Sequence, residues 1–195
     1  SKAELNAAGF YGGNITSLAY NVTVAGTFAM PTYDISLAHT TATALTTTYI
    51  NTGFTTVYNG INILPVVGLN THTFSTPFSW DGSSNIVINI CHTGTGNGLN
   101  PFSQVTLCTP TNVSTTSRTG GGSCANPTGT TNADKPVITL TYVNPITWSP
   151  TTELYTDATA ATAYNPLVHT NLATVYTKPS IPRVYTASST NPATG

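Results

Sequence analysis

An all-β fold is what this 195-residue sequence predicts, and three observations carry that expectation. Apolar and polar residues alternate with a period of two over several segments, the mark of strands with one buried face. Threonine makes up about a fifth of the chain, and its β-branched side chain, stiff at the first torsion, suits a pleated, half-wet surface. Charged residues are only 6% of the chain while hydrophobic residues reach 39%. There is material for a core, and the low-hydrophobicity, high-charge composition of a disordered chain is missing. The length suits one sizeable domain, with room for a small second one.

Ser1-Lys2-Ala3-Glu4 opens the chain as a capping-box pattern, in which a hydroxyl and a carboxylate satisfy amides at a helix start. Leu5, Ala7 and Ala8 follow, and Gly9 stops the helix, so one short helix is expected. From Ile15 the period becomes two, with Leu18, Tyr20, Val22 and Val24 on one face and Ser17, Ala19, Asn21 and Thr23 on the other. Tyr33, Ile35, Leu37 and His39 repeat this after the turn-prone Met30-Pro31. Thr40 to Tyr49 reads as a loop or one helical turn, and short strands follow at Thr55–Tyr58 and Thr71–Phe74. Pro77-Phe78-Ser79-Trp80-Asp81-Gly82 then leads into Asn85–Cys91, where Ile86, Ile88 and Ile90 form an apolar face. Asp81-Gly82 between two strand-like runs predicts a hairpin, because both residues tolerate positive φ.

Between Cys91 and Pro136 the many Gly, Asn, Pro and Ser residues predict loops, with one strand near Ser103–Cys108. Val137–Val143 alternates clearly and closes a first domain, residues 1–143. A boundary is expected at Asn144-Pro145. In residues 144–195, Ile146-Thr147-Trp148-Ser149-Pro150, Leu154-Tyr155, Val175-Tyr176 and Val184-Tyr185-Thr186-Ala187 read as short strands between prolines. That pattern predicts a small sandwich of immunoglobulin type, reduced or cut before its last strands, since about 50 residues is short for one.

The formal net charge is −1. Lys2, Arg118, Lys135, Lys178 and Arg183 are spread along the chain, so nothing gathers to neutralise a run of phosphates or an anionic membrane surface. Nucleic acid is therefore not an expected partner. No apolar run approaches the roughly 18 residues of a membrane span. Without an initiating Met or a signal peptide, the sequence reads as a mature or excised piece.

Chemistry-bearing residues are few. Gly94-Thr95-Gly96-Asn97-Gly98 lacks the spacing and the following helix of a phosphate loop, and reads as a flexible connection. Asp81, Ser83 and Asn85 offer alternating oxygens in the manner of a calcium loop, but only Asp81 is charged, so a turn is favoured over a metal site. His39, His72, His92 and His169 are far apart in sequence, and packed or rim positions are favoured over ligands or bases. There is no GxSxG elbow, and six acidic residues give no carboxylate pair that spacing supports. No catalytic residue and no cofactor is expected. Cys91, Cys108 and Cys124 lack a zinc-like spacing and read as one disulfide plus one buried thiol. Acceptor patterns for glycans at Asn14, Asn21 and Asn112 arise readily by chance in so Asn- and Thr-rich a chain.

Taken together, several runs resemble a module of large secreted proteins of Bacteroidota: Glu4-Leu5-Asn6-Ala7-Ala8-Gly9, Ile15 through Val22, Thr55-Thr56-Val57-Tyr58, Asn70 with Phe74, Pro77 through Gly82, and Asn85 through Cys91. Such modules are similar to jelly rolls and sit in adhesin-like proteins exported by the type IX secretion system. Thr147-Trp148-Ser149-Pro150 through Tyr185-Thr186-Ala187 resembles the immunoglobulin-like spacers that follow them. The resemblance implies a jelly-roll-like antiparallel sandwich followed by a small immunoglobulin-like β domain, at an extracellular, cell-surface location. It implies a non-catalytic structural or adhesive role, with neighbouring copies or domains of the same surface protein as partners, by strand addition. The alternative is an accessory carbohydrate-binding module of a secreted enzyme, with glycans as ligands. Such modules begin one or two strands before the position of Ser1, so the chain is expected to start inside its first domain. The resemblance also implies a Cys91–Cys124 disulfide, contributing roughly 3 to 4 kcal/mol by loop closure, with Cys108 a buried thiol and Cys108–Cys124 as runner-up pairing.

Overall fold

The capping box forms. The computed structural model describes residues 1–93, 104–108, 115–117, 128–144, 146–166, 169 and 172–189. In it, α1 (Lys2–Ala7) starts at Ser1, whose hydroxyl accepts from the Glu4 amide while the Glu4 side chain reaches back to the Ser1 ammonium at 2.8 Å. Gly9, at φ +83°, takes the chain out of the helix. No other helix occurs among the described residues.

Long strands follow: β1 (Gly13–Val24), β2 (Met30–Thr40), β3 (Thr55–Ile63), β4 (Gly68–Trp80) and β5 (Asn85–Thr93). Shorter ones come next, β6 (Gln104–Val105), β7 (Leu107–Cys108), β8 (Thr115–Ser117), β9 (Thr130–Asn132), β10 (Lys135–Pro136) and the longer β11 (Ile138–Val143). Beyond Asn144 lie β12 (Ile146–Ser149), β13 (Leu154–Tyr155), β14 (Tyr176–Thr177) and β15 (Thr186–Ser189). Every ladder between these strands is antiparallel. The all-β expectation therefore stands as a mostly β chain of antiparallel sheets with one short helix.

The main body is a pair of sheets, β11-β1-β4 with β6 beside the end of β1, and β3-β2-β5. Their apolar faces share one core: Phe10, Ile15, Leu18 and Tyr20 meet Tyr33, Ile35, Leu37 and Val57 with Phe74, Phe78 and Trp80. Each large apolar side chain buried this way contributes about 1.5–3 kcal/mol. Ile86, Ile88, Ile90, Ile138, Leu140 and Tyr142 pack against that core from the outer strands. Ser17, Ala19, Ser36 and Ala38 on the opposite faces of β1 and β2 are buried as well. Both strands are central, so these short side chains sit between longer ones on the flanking strands.

Several expectations change. Met30-Pro31 opens β2 instead of making a turn, and the strands expected at Thr55–Tyr58 and Thr71–Phe74 are parts of longer ones, the start of β3 and an inner stretch of β4. The single strand expected near Ser103–Cys108 splits, with β6 pairing β1 and β7 pairing β10, and Ser103 lies outside the described residues. Asp81-Gly82 makes a turn, with Gly82 at φ +71°, but no hairpin: β4 pairs with β1 and β5 pairs with β2. The turn carries the chain from one sheet to the other.

A bulge corrects the face pattern of β1. Ile15 opposes Phe78 and Ser17 opposes Thr73, so Thr16 alone faces the stretch from Phe74 to Pro77. The shift puts Ile15 on the same side as Leu18 and Tyr20 despite its odd spacing. On the detour, the Ser75 hydroxyl donates to the Val57 carbonyl of β3 at 3.2 Å, tying one sheet to the other. Val24, at the end of β1, is 42% exposed and leaves the core face.

Among the described residues, those beyond Asn144 form ladders with each other, β12 with β15 and β13 with β14. Here Leu154 and Tyr164 are buried. The Tyr164 hydroxyl accepts from the Trp148 amide at 3.1 Å and the Trp148 indole donates to the Leu172 carbonyl at 2.9 Å. Tyr185 donates its hydroxyl to the Thr152 carbonyl at 2.9 Å.

Candidate functional site

The side-chain oxygens of Asp81 and Asn85, two of the three members of the calcium candidate, are engaged in the fold. Asp81 Oδ1 accepts from the amides of Ser83 at 2.8 Å and Ser84 at 2.7 Å, and Oδ2 accepts from the Ser84 hydroxyl at 2.6 Å. The Trp80 indole donates to the Ser84 carbonyl at 2.9 Å, so the whole turn is clamped. Partial burial works against ionisation of Asp81, but the Ser84 hydroxyl, the two amides and nearby His39 outweigh it and hold the carboxyl well below the usual range. Asn85 Oδ1 accepts from the Lys2 amide at 2.8 Å, and its side-chain nitrogen donates to the Ala42 carbonyl at 2.8 Å. Ser83 and Asn85 do share an open recess of about 310 Å³ with Thr40, Thr41, Ser84 and Lys2. The Lys2 ammonium in that lining is the wrong sign for a cation. Among the described residues no group of three or more His, Cys, Asp or Glu has metal-binding positions.

The other carboxylates are used in the same way. Glu4 caps α1 and pairs with Lys135, whose hydrogen bond, with that of the N-terminal ammonium, lowers its pKa to about 2. Asp34 accepts from the Asn59 amide at 3.0 Å. Glu153 accepts from the Ser180 amide at 3.0 Å and faces Arg183 at 3.4 Å. Asp157 gathers the amides of Thr159, Ala161 and Thr162. Glu4, Glu153 and Asp157 thus pin a helix start and loops, and Asp34 ties β2 to β3.

His39 stands at the rim, its ring 4.8 Å from Phe78 and its Nε2 3.9 Å from Asp81. His92 is exposed, and His169 Nδ1 accepts from the Asn165 amide at 3.0 Å. His72 is packed in the core. The structure brings none of the four histidines into contact with another. Cys91 is disulfide-bonded, while Cys108 is a free thiol on an exposed residue, which corrects the expected buried thiol and removes the Cys108–Cys124 alternative. Cys124 and the Gly94–Gly98 loop lie outside the described residues.

What the sequence reading passed over is an apolar end of the sandwich. The pairings Val22 with Gly68 and Met30 with Ile63 bring the end of β1, the start of β2, the end of β3 and the start of β4 together. There Ile61, Leu64, Val66, Val67 and Leu69 are exposed by 76, 52, 59, 68 and 60%, with Phe28 at 44% beside them. The loop between β3 and β4, which carries Leu64, Val66 and Val67, is held by Asn70, which accepts from the Val66 amide at 2.9 Å and donates to the Val66 and Gly68 carbonyls at 2.7 and 2.8 Å. No charged residue occurs from Ile35 to Trp80. A neutral apolar surface on a braced loop can exclude water against another surface, and offers no group for proton transfer or nucleophilic attack. The run Ile61 to Leu69 was legible as apolar, but such a run fits a buried strand equally well. Pro65, Gly68 and the bracing Asn70 were the signal that it is a displayed loop.

Compared with family models, curated proteins and solved structures, the chain matches none.

Proposed function

We propose that the chain is a non-catalytic structural or adhesive module of a large, secreted bacterial cell-surface protein, and that the apolar end of its sandwich is the surface by which it meets a neighbouring copy or domain. Residues 1–143 are read as a jelly-roll-like unit and residues 144–195 as a short immunoglobulin-like segment, following the sequence resemblance. The single observation that carries the contact role is the set of exposed, uncharged residues Leu64, Val66 and Val67 on the β3–β4 loop braced by Asn70, with Ile61 and Leu69 on the strand ends that flank it. Exposed apolar clusters rimmed by polar residues mark contact sites. The structural use of Glu4, Asp81, Glu153 and Asp157 in a helix cap, a turn and loops, and of Asp34 in a cross-strand pair, supports the non-catalytic reading.

Strand addition is a second route to the same partners. β11 has a ladder partner on one side only among the described residues, and such edges accept another strand. The disulfide of Cys91 is assigned to Cys124 on the same resemblance.

Light scattering over a range of concentrations tests the contact. The parent chain is expected to associate, and the double variant Val66→Asp/Val67→Asp to stay monomeric with unchanged circular dichroism. A parent that stays monomeric, or a variant that associates equally, contradicts the reading.

A further inference from the structure

His72 is the one histidine placed in the core, at 7% exposure, and it stands at the junction of the two sheets. It belongs to β4, opposite Leu18 of β1. Its ring stacks on Tyr33 of β2 with centroids 4.9 Å apart and meets Tyr58 of β3 edge-on, also at 4.9 Å. Tyr20 of β1 closes the third side at 6.4 Å. No hydrogen bond to the imidazole occurs among the described residues. The titratable groups facing it are Tyr20 from β1, Tyr33 from β2 and Tyr58 from β3, all neutral phenols until far above pH 7. Burial pushes the Tyr20 and Tyr33 hydroxyls further up. Asp34, the acid on β2, is engaged by Asn59, and no carboxylate contacts the imidazole to balance a charge there.

A neutral imidazole fills this cage as an aromatic plug. An imidazolium there would be a charge between two sheets with no anion and no acceptor, and the tyrosine faces offset only part of its lost hydration. We infer that His72 is an acid-sensitive latch: neutral, it holds β4 against β2 and β3, and on protonation it loosens that contact between the sheets. Burial lowers its pKa below the ordinary value, in line with the geometry. The unfolded chain takes up this proton near pH 6.5 and the native state only at lower pH. Stability from this site is therefore complete above about pH 6.5 and falls as pH drops toward the native pKa. The inference does not depend on the role of the apolar end.

The test uses the full chain in two measurements. Proton NMR titration of the parent is expected to show His72 titrating below the ordinary histidine value of about 6.5. Urea unfolding at stepped pH is expected to show the unfolding constant rising by up to about tenfold per pH unit below pH 6.5, and His72→Phe is expected to flatten that rise. Titration of His72 at or above that ordinary value overturns the latch whether or not the variant folds. So does a pH dependence that is unchanged in His72→Phe.

Discussion

The side-chain amide of Asn70 closes around the peptide of Val66, accepting its N–H at 2.9 Å and donating to its carbonyl at 2.7 Å. A second donation, to the Gly68 carbonyl at 2.8 Å, completes the brace. Asn70→Ala removes all three bonds and is expected to cost about 1–2 kcal/mol in urea unfolding. Amide exchange at Val66 should speed up with it. Asn70→Asp is expected to be worse than Ala, because it keeps the acceptor but turns an oxygen toward two carbonyls. Unchanged exchange at Val66 in Asn70→Ala would show that the loop is held by something else.

Gly82 is required by space as well as by φ. A Cβ there would lie 2.1 Å from the Tyr11 carbonyl oxygen, a backbone atom fixed by the start of β1, and φ is +71°. Gly82→Ala is expected to destabilise by about 2 kcal/mol or more, from overpacking plus left-handed strain. Thermal unfolding checks this, and a Tm equal to the parent's would contradict the close approach of the two segments.

Asp81 gives a pH signature of the opposite kind to a buried base. Its folded-state pKa is depressed, so its contribution is present above the unfolded value of about 3.9 and is lost as pH falls below that. The side chain is 39% exposed, and solvent screening keeps the effect to about 1 kcal/mol. Asp81→Ala should cost that amount at pH 7, and its difference from the parent should shrink steadily as pH falls below about 3.9. A difference that stays constant below that pH would mean that lost packing, not the ionised carboxylate, is responsible.

Period-two alternation made β1, β2, β5 and β11 legible because their larger apolar side chains, such as Leu18, Ile35, Ile88 and Leu140, share the face that packs on the core, although short side chains on the other face of β1 and β2 are buried too. Thr16 was not legible as a bulge: the shift exists to let β4 detour toward β3 at Ser75, and that partner is remote in sequence. Asp81-Gly82 was legible as a turn but not as a crossing, since a hairpin and a sheet-to-sheet turn both accept Gly at positive φ. Which strands then pair is decided by the core between them. How the oxygens at Asp81 and Asn85 are used was hidden for a similar reason. Spacing showed oxygens at Asp81, Ser83 and Asn85, while only the fold shows that Ser84 and Lys2 occupy those of Asp81 and Asn85.

The thiols offer a chemical check. Cys108 is free and exposed, and Cys91 is disulfide-bonded. Alkylation of the native chain should modify Cys108 alone, and non-reducing peptide mapping should join the Cys91 peptide to that of Cys124. Recovery of three free thiols from air-oxidised protein contradicts the assignment.

The contact role of the apolar end is tested most directly by hydrogen exchange read residue by residue at rising protein concentration. Amides of the loop from Ile61 to Leu69, and those around Phe28, are expected to gain protection as concentration rises, and the gain should disappear in Val66→Asp/Val67→Asp. Protection that grows at β11 instead, or nowhere at all, would contradict it.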